Sequence, residues 1–311
     1  CIRDSFWGTP DFGVPSLRAL QEEGHAVVAV VTQPDRPAGR GRAVRSGAIK
    51  TVAEEEGIPV LQPEKPRGEA FLAELRDLDP EISVVAAYGE ILTEEVLTLP
   101  PRGSVNVHGS LLPELRGAAP VNWAIIRGHE HSGVTIMRMV RELDAGPVLY
   151  RVAVELPPDL TAGELYEMLS EIGATALVEA LAQMEAGVLR EEPQVHEHAT
   201  YAPKMSREGA RLDWRLPAGE LDRWIRGCDP WPGAWTTLEE QAVQVFGPEA
   251  DSYVGSGPPG SVLTADARNG LVVATGSGAI RLREVKPAGR PRMTSESWIN
   301  GRGVAEGQSF E

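Results

Sequence analysis

The chain has 311 residues, of which 42% are hydrophobic and 24% charged, and 30 Lys and Arg stand against 45 Asp and Glu for a formal net charge of −15. This is ordinary globular usage, which excludes a disordered or fibrous chain, and at ~150 residues per domain the length fits two domains. The charge excludes a generic polyanion binder steered by its whole field. The two cysteines, Cys1 and Cys228, exclude a disulfide framework or zinc cluster and suit a reducing cytoplasm.

The longest apolar stretches, Ala26–Val31 and 84–88, fall far short of the ~18 residues a membrane span needs. Residues 1–5 carry no apolar core of a secretory signal. The expectation is a cytoplasmic protein without membrane association. The acidity is uneven: 17 basic residues face 31 acidic ones over 1–199, but 13 face 14 over 200–311. The segment 36–50 holds Arg36, Arg40, Arg42, Arg45 and Lys50 and no acidic residue.

The first strand is unusual. Residues 1–7 put Asp4 and Ser5 in or near the core of a central parallel strand, where an unpaired carboxylate is costly. Ala26–Val31 reads as a buried strand, 43–56 as a helix and 58–60 as a short strand. Residues 69–78 read as a helix, then 82–87, 105–108 and 134–139 as strands. Strands alternating with helices imply βαβ units and a parallel sheet covered on both faces. Right-handed crossovers make it an open, doubly wound sheet. Thr161 reads as an N-cap with Glu164 closing a capping box. The following helix runs to about residue 185 and stops at Gly187.

The polar, aperiodic segment 190–204 reads as a linker, dividing a domain over 1–189 from one over 205–311. The second begins with a helix near 218–225. Short strand-like runs follow at 234–238, 242–246, 260–264, 271–274 and 280–285. Arg268-Asn269-Gly270 supplies a hairpin-type turn. Many short strands with Gly and Pro between them predict a small barrel.

The chemistry concentrates in Asn106-Val107-His108-Gly109. Alternation along a strand points Asn106 and His108 the same way. Gly109 follows at the strand's carboxyl end, where open α/β sheets bind ligands. An amide donor beside an imidazole there can polarise a carbonyl and hold a developing oxyanion. The plainer alternative is an Asn closing a turn and a satisfied core His. Asp144, in Leu143-Asp144-Ala145-Gly146, can orient His108 if the two meet, or it is an ordinary turn residue. The loop 32–42 also follows a buried strand. Its arginines suit bidentate phosphate contacts, against a plain solvated basic loop. No Gly-x-Gly-x-x-Gly fingerprint or P-loop lysine supports a nucleotide cofactor. His129, His131, His196 and His198 form no metal set.

Together these segments resemble the methionyl-tRNA formyltransferase family. The likeness runs through Gly8-Thr9-Pro10-Asp11-Phe12, 32–41, Ala87-Tyr88-Gly89, 106–113, Arg116-Gly117-Ala118-Ala119-Pro120, 133–137 and 143–146, and through Lys286-Pro287-Ala288-Gly289 and 298–303 near the end. It implies a Rossmann-like catalytic domain, a linker and an OB-like barrel that helps hold tRNA. It implies 10-formyltetrahydrofolate as co-substrate, initiator methionyl-tRNA as acceptor, no metal, and a monomer. The family's catalytic set falls on Asn106, His108 and Asp144. Its folate-binding residues fall on Ser110, Leu111, Leu112 and Pro113, with Tyr88 and Gly89. Its tRNA-acceptor loop falls on Arg36, Arg40 and Arg42. The catalytic trio is shared with formyltransferases and hydrolases that use an amino-sugar nucleotide, glycinamide ribonucleotide or water. The basic loop and the extra C-terminal domain are what favour tRNA.

Overall fold

The computed structural model describes residues 2–38, 43–251 and 257–311. The chain forms two compact units. One gathers Cys1–Pro120, His131–Glu155 and Tyr166–Ala202; the other gathers Val121–Glu130, Leu156–Leu165 and Pro203–Glu311.

Through Ala202 the elements are β1 (Arg3–Gly8), α1 (Val14–Glu22), β2 (Ala26–Val31), β3 (Arg36–Ala38), β4 (Ala43–Arg45), α2 (Ala48–Glu55), β5 (Val60–Leu61), α3 (Glu69–Asp77), β6 (Ile82–Ala86), α4 (Glu94–Leu97), β7 (Ser104–His108), β8 (Arg116–Gly117), α5 (Pro120–Ile126), β9 (His131–Arg138), β10 (Val148–Glu155), α6 (Ala162–Glu185) and β11 (Tyr201–Ala202). The main sheet of the first unit has the order β10-β9-β7-β6-β1-β2-β5. Its five strands from β7 to β5 pair in parallel. β9 and β10 close the far edge antiparallel. The chain steps from β1 out to β5 and then returns to the other side of β1 with β6. The order reverses there, and the crevice outside the carboxyl ends of β1 and β6 is where such a sheet takes its ligand.

Central strands buried on both faces need nearly continuous apolar sequence, and β6 is buried at all five positions. β1 breaks that pattern, and the structure shows how it is tolerated. Asp4 is fully buried, but its Oδ2 lies 2.7 Å from His25 Nδ1. Ser5 Oγ lies 2.8 Å from Ser83 Oγ on β6 and accepts a 3.0 Å hydrogen bond from Trp7 Nε1. Each polar group in the strand thus has a polar partner, although Asp4 Oδ1 has none. Burial pushes the Asp4 carboxyl up, and the hydrogen bond to Asp4 pushes His25 up.

The helix predicted over 43–56 is shorter, Ala48–Glu55, because Ala43–Arg45 pairs antiparallel with Arg36–Ala38. β10 was not anticipated. The capping box forms as predicted: Thr161 N and Oγ1 both donate to Glu164 Oε2, and Glu164 N donates back to Thr161 Oγ1. α6 ends at Glu185, and Gly187 takes a φ of 68°, as a left-handed helix stop requires.

The second unit continues with α7 (Ala218–Gly227), β12 (Trp235–Leu238), β13 (Gln241–Asp251), β14 (Val262–Asp266), β15 (Gly270–Ala274), β16 (Ala279–Pro287), β17 (Met293–Thr294) and α8 (Ser295–Asn300). Its antiparallel sheet runs β12-β13-β16-β15-β14, with β17 on β16. The segment 307–311 bridges the two edges. Glu311 N donates to Thr237 O beside β12, while Phe310 N donates to Gly260 O and Val262 N to Gln308 O beside β14. Edge strands are thereby paired rather than exposed, and the sheet becomes the small barrel predicted. Phe310 stacks with both Trp214 and Trp298, and all three are buried. Trp231, by contrast, is 58% exposed.

Candidate active site

β7 lies between β6 and β9 and ends at His108. Asn106 pairs with Val85 and Met137, and His108 with Thr135. Two residues apart on one strand, their side chains emerge on one face. Asn106 is half-buried and His108 is 5% exposed. His108 Nε2 lies 3.1 Å from Leu115 O. A carbonyl only accepts, so the hydrogen sits on Nε2. Nδ1 is left facing Asp144 Oδ2 across 3.8 Å. That gap is too long for a hydrogen bond, and it leaves Nδ1 free to accept a proton or a hydrogen bond from a donor.

The loop between β9 and β10 brings Asp144 to His108. Asp144 takes a left-handed φ of 49°, and its Oδ2 accepts a 2.8 Å hydrogen bond from Gly117 N. Gly117 itself has φ 117°, and a Cβ there would stand 2.7 Å from Ala202 O. Only glycine suits that position. The backbone of 115–117 therefore orients both His108 and Asp144. Sequence reasoning missed Leu115 and Gly117 as functional positions, because a carbonyl and an amide carry no residue-type signal. The run Arg116-Gly117 was visible only as part of the resemblance.

The folate-binding residues predicted fall into two groups. Ser110 Oγ donates to Glu114 O, and Ser110 O accepts from Thr135 Oγ1, which in turn accepts from Leu112 N. Leu112 is buried with Met137 and Val148. Tyr88 is buried edge-on to Trp7, and Tyr88 O accepts from Thr9 Oγ1 across the switch point. The side chains of Ser110, Leu112 and Tyr88 thus shape the loops from within. Leu111 and Pro113 are partly exposed and Gly89 is exposed. Gly89 has φ 93° with open space where a Cβ would be. The loop after β6 also leaves Ile91 81% exposed, and Leu143, beside Asp144, is 56% exposed. The loop after β6 and the loop before β10 thus each carry an exposed apolar side chain.

In the predicted acceptor loop, Arg36 is exposed at the start of β3. Arg40 and Arg42 lie outside the described residues. Lys50 is held in a polar cluster of its own. Its Nζ donates to Asp35 Oδ2 at 2.5 Å and to Gln62 Oε1 at 2.9 Å, while Gln62 Nε2 donates to Asp35 Oδ1 and Gln33 O. This cluster fixes the stem from which β3 departs. Among the described residues there is no group of His, Cys, Asp or Glu arranged to hold a metal and no helix long and apolar enough to cross a membrane.

Residues 6–181 match the family model described as formyl transferase, and residues 204–303 match that of the formyl transferase C-terminal domain. Together with the doubly wound sheet and the barrel, these matches define a formyltransferase. The chain is 46% identical over 300 residues to the methionyl-tRNA formyltransferase of Desulfotalea psychrophila, covering 96% of this chain and 93% of that one. It belongs to the methionyl-tRNA formyltransferase family. Solved structures share the fold at low identity. The methionyl-tRNA formyltransferase from Clostridium thermocellum superposes with a TM-score of 0.58 at 12% identity, covering 81% of this chain and 94% of that one. HypX from Aquifex aeolicus, in complex with tetrahydrofolic acid, gives 0.66 at 21%, covering 98% of this chain and 48% of that one. The chain thus spans about half the length of HypX.

Proposed function

We propose that this chain transfers a formyl group from 10-formyltetrahydrofolate to the α-amine of initiator methionyl-tRNA, and that Asn106, His108 and Asp144 carry the step. The observation that supports this most is the convergence of Asn106 and His108 at the end of β7 with Asp144 held 3.8 Å from His108 Nδ1. When bound, the folate supplies an activated formyl carbon on nitrogen. The exposed Ile91 and Leu143, the partly exposed Leu111 and the open backbone at Gly89 would receive its ring.

The side chains divide the work. The Asn106 amide donates to the formyl oxygen as negative charge develops there. His108, its Nε2–H donating to Leu115 O, stabilises the same charge with Nδ1 also protonated, either as a cation or by giving up that proton. Asp144 keeps the ring turned and, through a water, helps move the proton from the attacking amine to the leaving nitrogen. Arg36, Arg40 and Arg42 take the acceptor end of the tRNA through its phosphates.

The test is an acceptor panel. The protein is mixed with 10-formyltetrahydrofolate and, separately, initiator methionyl-tRNA, glycinamide ribonucleotide, a nucleotide amino sugar or water alone. Tetrahydrofolate release and product mass are read. Formylmethionine on tRNA alone is expected. Formylation of another amine, or release with water alone, overturns the tRNA reading and keeps the formyl chemistry.

A further inference from the structure

The segment 190–204 has no periodicity, yet the structure makes part of it a brace for the catalytic loops. Gln194 is 7% exposed. Its Nε2 donates to Asp144 O at 2.9 Å and to Gly146 O at 2.7 Å. Its Oε1 accepts from Arg116 Nε at 3.1 Å and Arg116 Nη2 at 2.6 Å. All four of these bonds lie within the first compact unit. The next residue after Arg116 is Gly117, whose amide holds Asp144 Oδ2. The connections form a closed ring: Asp144 carboxylate, Gly117 amide, Arg116 guanidinium, Gln194 amide, Asp144 carbonyl.

The same segment holds His108's support. Thr200 Oγ1 accepts from Leu115 N at 2.9 Å, and Thr200 O accepts from Arg116 N at 2.9 Å. β11 then pairs in parallel with β8. Leu115 O is the acceptor that fixes the His108 ring. Residues 194–202 therefore grip the strip 115–117 from one side, and that strip grips both catalytic side chains from the other.

We propose that Gln194 is a positioning residue for Asp144, acting through the Asp144 and Gly146 carbonyls and through Arg116, and that the segment 194–202 is part of the catalytic apparatus rather than a passive connection. The physical ground is that Asp144 sits in a left-handed conformation on a loop. Such a conformation is disfavoured for a non-glycine residue and persists where its surroundings over-determine it. Gln194 supplies two of the hydrogen bonds that do so. A buried guanidinium is itself costly unless its donors are satisfied, and the Gln194 carbonyl satisfies two of those of Arg116. Arg116 Nη2 also lies 3.1 Å from His196 Nδ1. The inference rests on the reading of Asp144 as catalytic.

The test uses Gln194→Ala and Gln194→Glu in the full chain. The second keeps size and an acceptor for Arg116 but loses both donors to the carbonyls. Tetrahydrofolate release is followed with whichever acceptor the wild type uses, and kcat and KM are separated. By analogy with hydrogen-bond partners that orient metal ligands, the loss should be about 10- to 100-fold. That drop is expected in kcat, with KM for folate and acceptor unchanged. In an Asp144→Asn background the Gln194 substitutions should add little, because their route to the chemistry is already cut. Wild-type kcat in both variants, a rise confined to KM, or a loss fully additive with Asp144→Asn overturns the proposal. Should Gln194→Ala fail to fold, by its melting curve, Gln194→Glu decides alone. If the wild type formylates another acceptor, the tRNA reading fails and the Gln194 comparison proceeds on that acceptor. If the wild type releases tetrahydrofolate with none, the catalytic reading and this proposal fall together.

Discussion

At the scale of single residues, the account rests on a few side chains whose chemistry is set by backbone neighbours. Removing one oxyanion donor typically costs about 100- to 1,000-fold in turnover. Asn106→Ala should lose about that much in kcat while its melting curve stays near wild type, since Asn106 is only half-buried. Asp4 and His25 offer a test outside the site. Both are raised in the fold, Asp4 by burial and His25 by its hydrogen bond to Asp4. A raised His stabilises the fold fully below its ordinary value of 6.5, and that contribution is lost as pH rises through the folded value. The raised Asp4 acts in the same direction, because ionising it in the core is costly. Thermal stability should therefore fall as pH rises above about 6.5, and His25→Asn should flatten that slope. A slope unchanged in His25→Asn would assign it to other groups. That Asn106 and His108 share a face at the carboxyl end of a strand was legible from period-two alternation and the Gly that follows, whereas the approach of Asp144 to His108 was not, since it depends on a distant loop. His25 as the partner of Asp4 was not, since its pairing with a residue 21 positions away leaves no local trace.

At the scale of elements, strands buried on both faces announced themselves as apolar runs, as at β2 and β6. β10 did not, although its intermediate positions Tyr150, Val152 and Val154 alternate with exposed Arg151, Ala153 and Glu155. It is an edge strand with one wet face, and its signal is alternation rather than a run. The helix over 43–56 was overextended for a related reason: three residues suited to a helix instead pair with β3. The brace over 194–202 was illegible, because its order comes from Gln194 and Thr200 meeting distant backbone, not from any period. Gly117→Ala tests the strip that this segment holds. A Cβ meets Ala202 O at 2.7 Å with φ 117°, so the substitution should cost on the order of 1–3 kcal/mol and also slow formyl transfer. Wild-type stability and rate in that variant would mean the strip is loosely held. In the barrel, Phe310→Ala should cost about 3–5 kcal/mol, since its ring is buried between Trp214 and Trp298 and its backbone bridges the sheet's edges. A chemical-denaturation midpoint close to wild type would contradict that closure.

At the scale of the whole molecule, charge separates the two substrates. A chain at −15 repels tRNA on average, so the proposed binding places the phosphate contacts on the basic loop 36–42 and on the more nearly neutral 200–311. Phosphate contacts weaken steeply with salt. Raising salt from about 50 mM to about 200 mM should raise KM for methionyl-tRNA many-fold, while KM for the folate moves little. Equal sensitivity of the two would contradict a phosphate-reading loop. Composition and the order of elements were enough to predict the two-part architecture, whereas the antiparallel edge and the closure of the barrel by 307–311 depend on long-range pairing.

The most direct measurement is the single-turnover rate of formyl transfer from 10-formyltetrahydrofolate to initiator methionyl-tRNA in His108→Ala beside the wild type, with both proteins shown to fold. The account predicts formylmethionyl-tRNA from the wild type and a rate about 100- to 1,000-fold lower in the variant, with folate still bound. A variant that formylates at the wild-type rate would contradict it.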